Sequence, residues 1–574
     1  MHKNEWNLKD LFEDEKALKL CLEKSIEQSL KFRRDYEGKL GLLDSSKFTK
    51  ALKTYEQILQ NISKIMSYVY LHFAGDTSKG GFLAKYENEC KKAEENLIFF
   101  ELEFCELDEE KSAEFIKNLS EYAFYLSNLL KNKKHNLTQK EERIMLYLSN
   151  TGANAFSRLF DENMSRLRVS FEGKSLSEEE MLSKLYNEDR KIRKKAAKKF
   201  SKALKANLDL NTYVFNMIKS ERKIVCELRG YENAEESRHI SNQITQKSVD
   251  ALIKTTEKHF DLVSLFYKKK KQILGFKNLK DYDRYAPIGK EISVKYEQSK
   301  ELVLKAFNAF SPEFANIAKK AFDERWIDVY PRENKRGGAF SHSTTPDAHP
   351  YIMLNFTGRH RDLFTLAHEL GHTIHQKLSY SVNFLSQDTP LTTAETASVF
   401  AEMLVFDFVK DRLSKEELVG VYASKIEDVF ATLYRQINFT TFERRIHEHK
   451  EELKSEQINE IWLEESKKMF GESVILTQNY ELWWSYIPHF IHSPFYCYAY
   501  AYAQLLVLAL YGLYKSKACE NFTSLYIDLL KSGGSKSPKE LISSFGFDIE
   551  DENFWELGIK EVEKLINEFM ELKI

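Results

Sequence analysis

His368-Glu369-Leu370-Gly371-His372 sets two imidazoles four residues apart, with a carboxylate directly after the first. On a helix, positions four apart stack on one face, so both imidazoles can reach one metal ion while Glu369 projects beside them. This is the HExxH arrangement of metal-dependent peptide hydrolysis: the metal polarises a water and the glutamate takes its proton. Two satisfied helix histidines near a carboxylate would spell the same five letters, so the weight falls on what completes the site.

A tetrahedral catalytic zinc needs a third protein ligand and an open fourth position. The metzincin pattern asks for Gly and His further along the same helix; His375 and Leu378 stand at those steps, which excludes that class. The nearer acidic spacings of thermolysin-like enzymes and zinc aminopeptidases fall on Leu391 or Thr392, which cannot ligate as carboxylates do. The first carboxylates on a helical pattern are Glu395 and Glu402, seven apart and therefore on one face. One can bind the metal while the other orients a ligand histidine. Asp388 is closer in sequence, but Thr389-Pro390 puts it in a turn ahead of that helix. His375 reads as a neighbour of the site or a surface residue, and spacing selects none of His342, His349 and His360. Gly337-Gly338 lacks the Lys-Ser/Thr context of a phosphate loop, which excludes nucleotide binding there.

The elements that must position these groups can be read outward from the motif. Asp362 stands where an N-cap belongs, before Leu363-Phe364-Thr365-Leu366-Ala367. Ile327 to Arg332 and Pro350 to Phe356 read as strands, with Gly337-Gly338 as a turn between them, so a small sheet feeds the helix. Tyr351 to Phe356 is a candidate for pairing with substrate backbone as an added strand. Upstream of residue 320 almost everything has helical period. Thr138 with Glu141 and Ser177 with Glu180 are capping boxes, the first opening an apolar face of Ile144, Leu146 and Leu148. Arg166 to Lys174 alternates Leu167, Val169 and Phe171 and reads as a short extended segment. Arg190 to Lys199 holds seven cations, yet Ile192, Ala196, Ala197 and Phe200 recur at helical spacing, so the run is a solvated helix face.

Composition agrees. Only 21 Gly and 9 Pro among 574 residues argue for long helices and few hairpins, and 43% hydrophobic against 30% charged excludes a disordered chain. A net charge of −2 offers no global attraction for nucleic acid or an anionic membrane. The six scattered cysteines, without a CxxC pair, are neither a disulfide framework nor a thiolate metal site and fit a reducing compartment. Met1 to Trp6 runs straight into charged residues with no apolar signal segment. Tyr496 to Tyr514 carries no charge over 19 residues, but its tyrosines crowd one half instead of marking two interfaces, so it reads as a buried helix. Ser493 and Pro494 suit the cap and first residue of that helix.

Several stretches together resemble the thimet oligopeptidase-like zinc metallopeptidases and, among them, the oligoendopeptidase F branch. They are Ile327 to Arg332, Lys335 to Phe340, Phe364 to His372, Glu395 to Ser398 with Glu402, Ile487 to Phe490, and Pro494 to Tyr500. The likeness is dense from about 325 to 510 and thinner from about 110. It implies one zinc per chain held by His368, His372 and Glu395, with Glu402 orienting a ligand and Glu369 as general base. It also implies that His489, Tyr496 and Tyr498 donate to the carbonyl oxygen as charge builds there. Tyr500, Tyr502 and His492 are weaker candidates for that role.

The resulting expectation is a mostly α-helical metallopeptidase with a small β-sheet beside the HExxH helix. Residues 1–180 form an N-terminal helical region and 181–574 the catalytic domain. The resemblance implies a deep channel that admits short unfolded peptides for internal cleavage; the cysteines and the opening residues point to the cytoplasm, and the charge balance to no nucleic acid or membrane partners; no oligomeric state is specified. The rival readings are a zinc exopeptidase and a catalytically silent peptide-binding scaffold, and the intact Glu369 weighs against the scaffold.

Overall fold

The computed structural model describes residues 4–289 and 292–572; the first three residues of the charged opening lie outside that range. With so few breakers, helices dominate, and the strands of the described residues form two small sheets. The chain divides into two compact units, each drawing on three stretches. One comprises Met1–Lys133, Ile292–Arg412 and Lys517–Phe545; the other comprises Lys134–Glu291, Leu413–Ser516 and Gly546–Ile574. A linear boundary at 180 does not describe this interleaving.

In the first unit, helices such as Glu15–Tyr36 and Ser45–Gly75 pack a core running from Trp6 to Leu126 that also takes in Tyr351 and Met353. Its sheet has Tyr351–Met353 in the middle, parallel to Ile327–Asp328 on one side and antiparallel to Phe340–His342 on the other. The middle strand is buried and paired along both sides, so it cannot take an added peptide strand; Phe340–His342 is an edge. The expected strand from Ile327 to Arg332 shortens to two residues, and its Asp328 gathers a buried ion cluster. Arg332 grips its carboxylate with two bonds of 2.7 Å, and Lys335 Nζ reaches it at 2.8 Å while also donating to the Tyr330 and Leu354 carbonyls. A carboxylate with no solvent exposure persists only when paired in this way.

In the second unit, Val169–Phe171 and Lys174–Leu176 pair as a hairpin at the expected extended segment. Both capping boxes form. The apolar face after Thr138 does not meet a core: Ile144 and Leu148 are exposed, and the side chain of Leu146 lies outside the described residues. The cationic run forms the helix Arg190–Ala206, whose lysines at 191, 194, 198 and 199 are exposed. Arg193 departs from the solvated-face expectation, since it is buried and pairs with Asp283 beside Arg190. No helix among the described residues is long and apolar enough to cross a membrane. The uncharged stretch becomes the helix Tyr498–Ser516, buried along Glu552–Glu571. Gly558 permits that approach, because a Cβ there would lie 2.5 Å from the Leu505 carbonyl oxygen.

Candidate active site

The HExxH motif lies on the helix His360–Ser379 in the first unit. Leu363, Leu366, Leu370, Ile374 and Leu378 recur at helical spacing and are buried, each stabilising by about 1.5–3 kcal/mol relative to exposure. Asp362 sits in the first turn, not at the cap. Its Oδ2 accepts from the N–H groups of Thr357, Gly358 and Arg359 at 2.7, 2.9 and 3.1 Å, which anchors the helix start. At the other face, Ser341 on the sheet edge bonds Thr373 and Gln376, tying the strand Phe340–His342 to the motif helix.

Gly371 explains how the second ligand helix, Thr396–Lys410, comes close enough. A Cβ on Gly371 would stand 2.5 Å from the Ala397 carbonyl oxygen and 2.6 Å from Ser398 Cα, so only glycine allows the backbones to touch. Glu395 lies just before that helix and Glu402 two turns into it. They reach His368 from its two ring nitrogens: Oε2 of Glu395 is 3.3 Å from Nε2, and Oε1 of Glu402 is 2.6 Å from Nδ1. His372 Nε2 lies 3.1 Å from His368 Nε2 and 3.3 Å from Glu395 Oε2.

These three donor atoms make a triangle with sides of 3.1, 3.3 and 3.3 Å. Ligands held about 2.0–2.1 Å from a tetrahedral zinc are separated by ~3.3 Å, so the set fits that ion, and two imidazoles with one carboxylate are a donor set zinc takes. Ser398 Oγ donates to Glu395 Oε2 at 2.5 Å and steadies it.

The electrostatics suit a cation. Burial disfavours a charged His368, but Glu402, Glu395 and Glu369 outweigh it and lift its pKa to about 9. Burial also opposes the charge on Glu395, yet His372, His368 and Ser398 hold it well below the usual carboxylate range. Glu369 goes the other way: burial raises it despite the two imidazoles, which suits a group that must accept a proton. His375 is buried, and burial lowers it to about 3, so it is neutral and not a surface residue. A cavity of about 450 Å³ opens over His368, Glu369 and His372, bordered by the Phe340–His342 edge and the turn at Asp388.

The expected carbonyl-oxygen donors lie in the second unit. His489, Tyr496 and Tyr500 come together there: the Tyr496 and Tyr500 rings are 5.0 Å apart, and His489 Nε2 is 3.4 Å from the Tyr500 hydroxyl. All three are partly exposed. Tyr498 does not join them. It is buried, with its hydroxyl 2.9 Å from both His239 Nδ1 and Asn242 Nδ2. His492 turns to Asp161 instead, at 2.8 Å. The phase differs because the helix starts at Tyr498, not at Pro494. Phe495 has φ +58°, in the left-handed region, and its N–H donates to the buried Glu443 carboxyl at 3.0 Å, which interrupts the helical course.

The sequence profile of Peptidase family M3 matches residues 183–561, and that of Oligopeptidase F matches 103–168. The chain belongs to peptidase family M3. Among its relatives, the Oligoendopeptidase F homolog of Borreliella burgdorferi is 30% identical, over 98% of each chain. Oligopeptidase PepF of Bacillus subtilis is 26% identical, over 99% of this chain and 87% of its own. In fold, the chain matches a solved Chlamydophila abortus structure with a TM-score of 0.88 at 24% identity, covering 100% and 98% of the two chains. Oligoendopeptidase-F from Enterococcus faecium gives 0.72 at 22% identity, over 96% and 97%.

This M3 peptidase has a large helical fold, as its resemblance implied, and its motifs divide by role. HELGH and the segment Glu395 to Glu402 build the metal-binding geometry, whereas Ile327 to Arg332 and Lys335 build the ion cluster that holds the sheet. Tyr500 groups with Tyr496, as their i,i+4 relation allows, although Tyr498 was the expected partner. Ser398 had a signal too, three residues after Glu395 and able to bond back to it.

Proposed function

We propose that this M3 peptidase is a zinc-dependent endopeptidase that hydrolyses internal bonds of short unfolded oligopeptides. The observation that carries the reading is the donor triangle of His368, His372 and Glu395 with Glu369 adjacent. Zinc bound there supplies Lewis-acid polarisation of the attacking water and of the scissile carbonyl. Glu369 takes a proton from that water on a carboxylate oxygen and passes it to the leaving amine nitrogen. Glu402 holds the His368 ring by Nδ1, which leaves Nε2 on the side of His372 and Glu395, where it would serve as a ligand. The family resemblance assigns donation to the carbonyl oxygen, as it gains charge, to His489 and Tyr496 with Tyr498; Tyr500 is the tyrosine that groups with the first two and is the better candidate for the third donor. Six free cysteines suit a cytoplasmic setting.

The test combines zinc content with turnover of an internally quenched peptide of about ten residues, blocked at both ends, a length that keeps ordering costs modest. One zinc per chain and cleavage at an internal bond, lost to a chelator and restored by zinc, are expected. Release of terminal residues from free-ended peptides alone would assign an exopeptidase. Zinc binding without any hydrolysis would assign a silent peptide binder.

A further inference from the structure

Beyond the reacting groups, the cavity over His368 and His372 has a second chemical character. Its lining also includes Asp388, Gln387 and His375. Asp388 opens onto the cavity, and no hydrogen-bond or ion-pair partner reaches its carboxylate among the described residues. Gln387 and His375 are each more than nine-tenths buried, and Gln387 Oε1 and His375 Nε2 both lack a partner. The Gln387 amide nitrogen donates to the Val382 carbonyl at 3.3 Å, which leaves the oxygen as the unsatisfied end. Unpaired acceptors in a native interior cost stability and call for a role.

The wall is also held rigid. Gly534 N–H donates to the Ser386 carbonyl at 2.8 Å, and a Cβ on Gly534 would lie 2.0 Å from the Asp388 carbonyl oxygen. A Cβ on Gly533, at φ +49°, would lie 3.0 Å from the Ser386 carbonyl oxygen and 3.1 Å from that of Gln387. The glycine pair therefore clamps the backbone of residues 386–388, from which the Asp388 side chain projects. Charge points the same way. No lysine or arginine lines the cavity among the described residues, and its lining carboxylates are Glu369 and Asp388.

We propose that Asp388 forms a substrate subsite beside the scissile bond that takes a cationic group of the peptide, a guanidinium or ammonium. This deepens the peptidase reading and rests on it. A protonated nitrogen of the peptide supplies the donors that the wall lacks, and a guanidinium, with five N–H groups, supplies most. The cation comes from an arginine or lysine side chain or from a free α-amino terminus.

The experiment scans arginine against citrulline, its uncharged isostere, through three positions on either side of the bond in blocked quenched peptides. One position should favour arginine by about tenfold or more in kcat/KM, the scale of a desolvated charge pair. The same peptides with free amino termini assign the cation to side chain or terminus. In Asp388→Asn and Asp388→Ser the ratio should collapse to within about twofold, and in Asp388→Arg glutamate should replace arginine as the favoured residue. Wild-type indifference to charge at every position and at both termini would overturn the subsite. So would an arginine preference that survives in both neutral variants. Peptide binding to Glu369→Gln, read by fluorescence anisotropy, separates the two readings. Absence of hydrolysis would remove the peptidase function, while the arginine-to-citrulline ratio of affinities still judges Asp388.

Discussion

Glu402 Oε1 lies 2.6 Å from His368 Nδ1, on the side of the imidazole opposite the nitrogen that faces Glu395 and His372. This contact sets the tautomer: Nδ1 carries the proton toward Glu402, and Nε2 keeps its lone pair for a metal. Two carboxylates seven residues apart thus serve one histidine from opposite edges. Glu395→Ala should therefore lose zinc affinity more severely than Glu402→Ala, since one removes a ligand and the other its orientation, typically a ~10–100-fold loss. Metal titration in competition with a chelator gives the order, and the reverse order would exchange the two roles.

Glu369→Gln should retain one zinc per chain while hydrolysis falls by about 10²–10⁴-fold, because the side chain handles protons and lies outside the ligand triangle. Elemental analysis beside turnover checks this. An apo variant, or near-normal turnover, would remove Glu369 from the role of base.

Gly371→Ala should destabilise the protein by ~1–3 kcal/mol and weaken zinc binding, since the new methyl must push the Ala397–Ser398 backbone away and carry Glu395 with it. Gly81→Ala is the contrast. Nothing lies within 4 Å of a Cβ at that helical position, so a gain of roughly 0.5–1 kcal/mol is expected. Denaturant unfolding measures both, and equal effects would show that the helix crossing does not depend on the glycine.

Among the tyrosines, Tyr500→Phe and Tyr496→Phe should lower kcat with little change in bound zinc or thermal stability. Loss of one oxyanion donor costs about 2.7–4 kcal/mol in comparable sites. Tyr498→Phe should instead lower the unfolding free energy by ~1–3 kcal/mol, because it strips His239 and Asn242 of a buried partner. A pure kcat effect at Tyr498 would restore the phase read from the sequence.

Burial pushes the Glu443 carboxyl up to about 8, with Glu235 adding to the effect and the Phe495 N–H, Arg222 and Arg238 opposing it. The unfolded chain releases this proton near the ordinary value of 4.5, and the native state keeps it. Glu443 therefore subtracts stability increasingly as pH rises from about 4.5 to about 8, and by a constant amount above that. Glu443→Gln preserves an acceptor for Phe495 but does not titrate, so its stability relative to wild type should grow across that window. Denaturation at several pH values reads the difference, and an opposite slope would mean that the native carboxyl is ionised against the arginines.

Local periodicity was enough for the motif helix. His368 and His372 share a face because the helix repeats every 3.6 residues, and the breaker count alone made the chain helical. The same periodicity placed Glu395 and Glu402 together but was blind to which nitrogen of His368 each would meet. That depended on the contact of Gly371 with the Ala397–Ser398 backbone, a relation between two helices. It also could not place the start of the tyrosine helix. Ser493-Pro494 is a good local signal, but the Glu443 carboxyl, 52 residues away, accepts from the Phe495 N–H, whose backbone sits at φ +58°. The helix then begins at Tyr498, and Tyr500 instead of Tyr498 comes beside His489. Spacing along one element is written in neighbouring residues, whereas a crossing point or a long-range bond exists only once distant segments have packed, and those contacts decided which tyrosine lies beside His489.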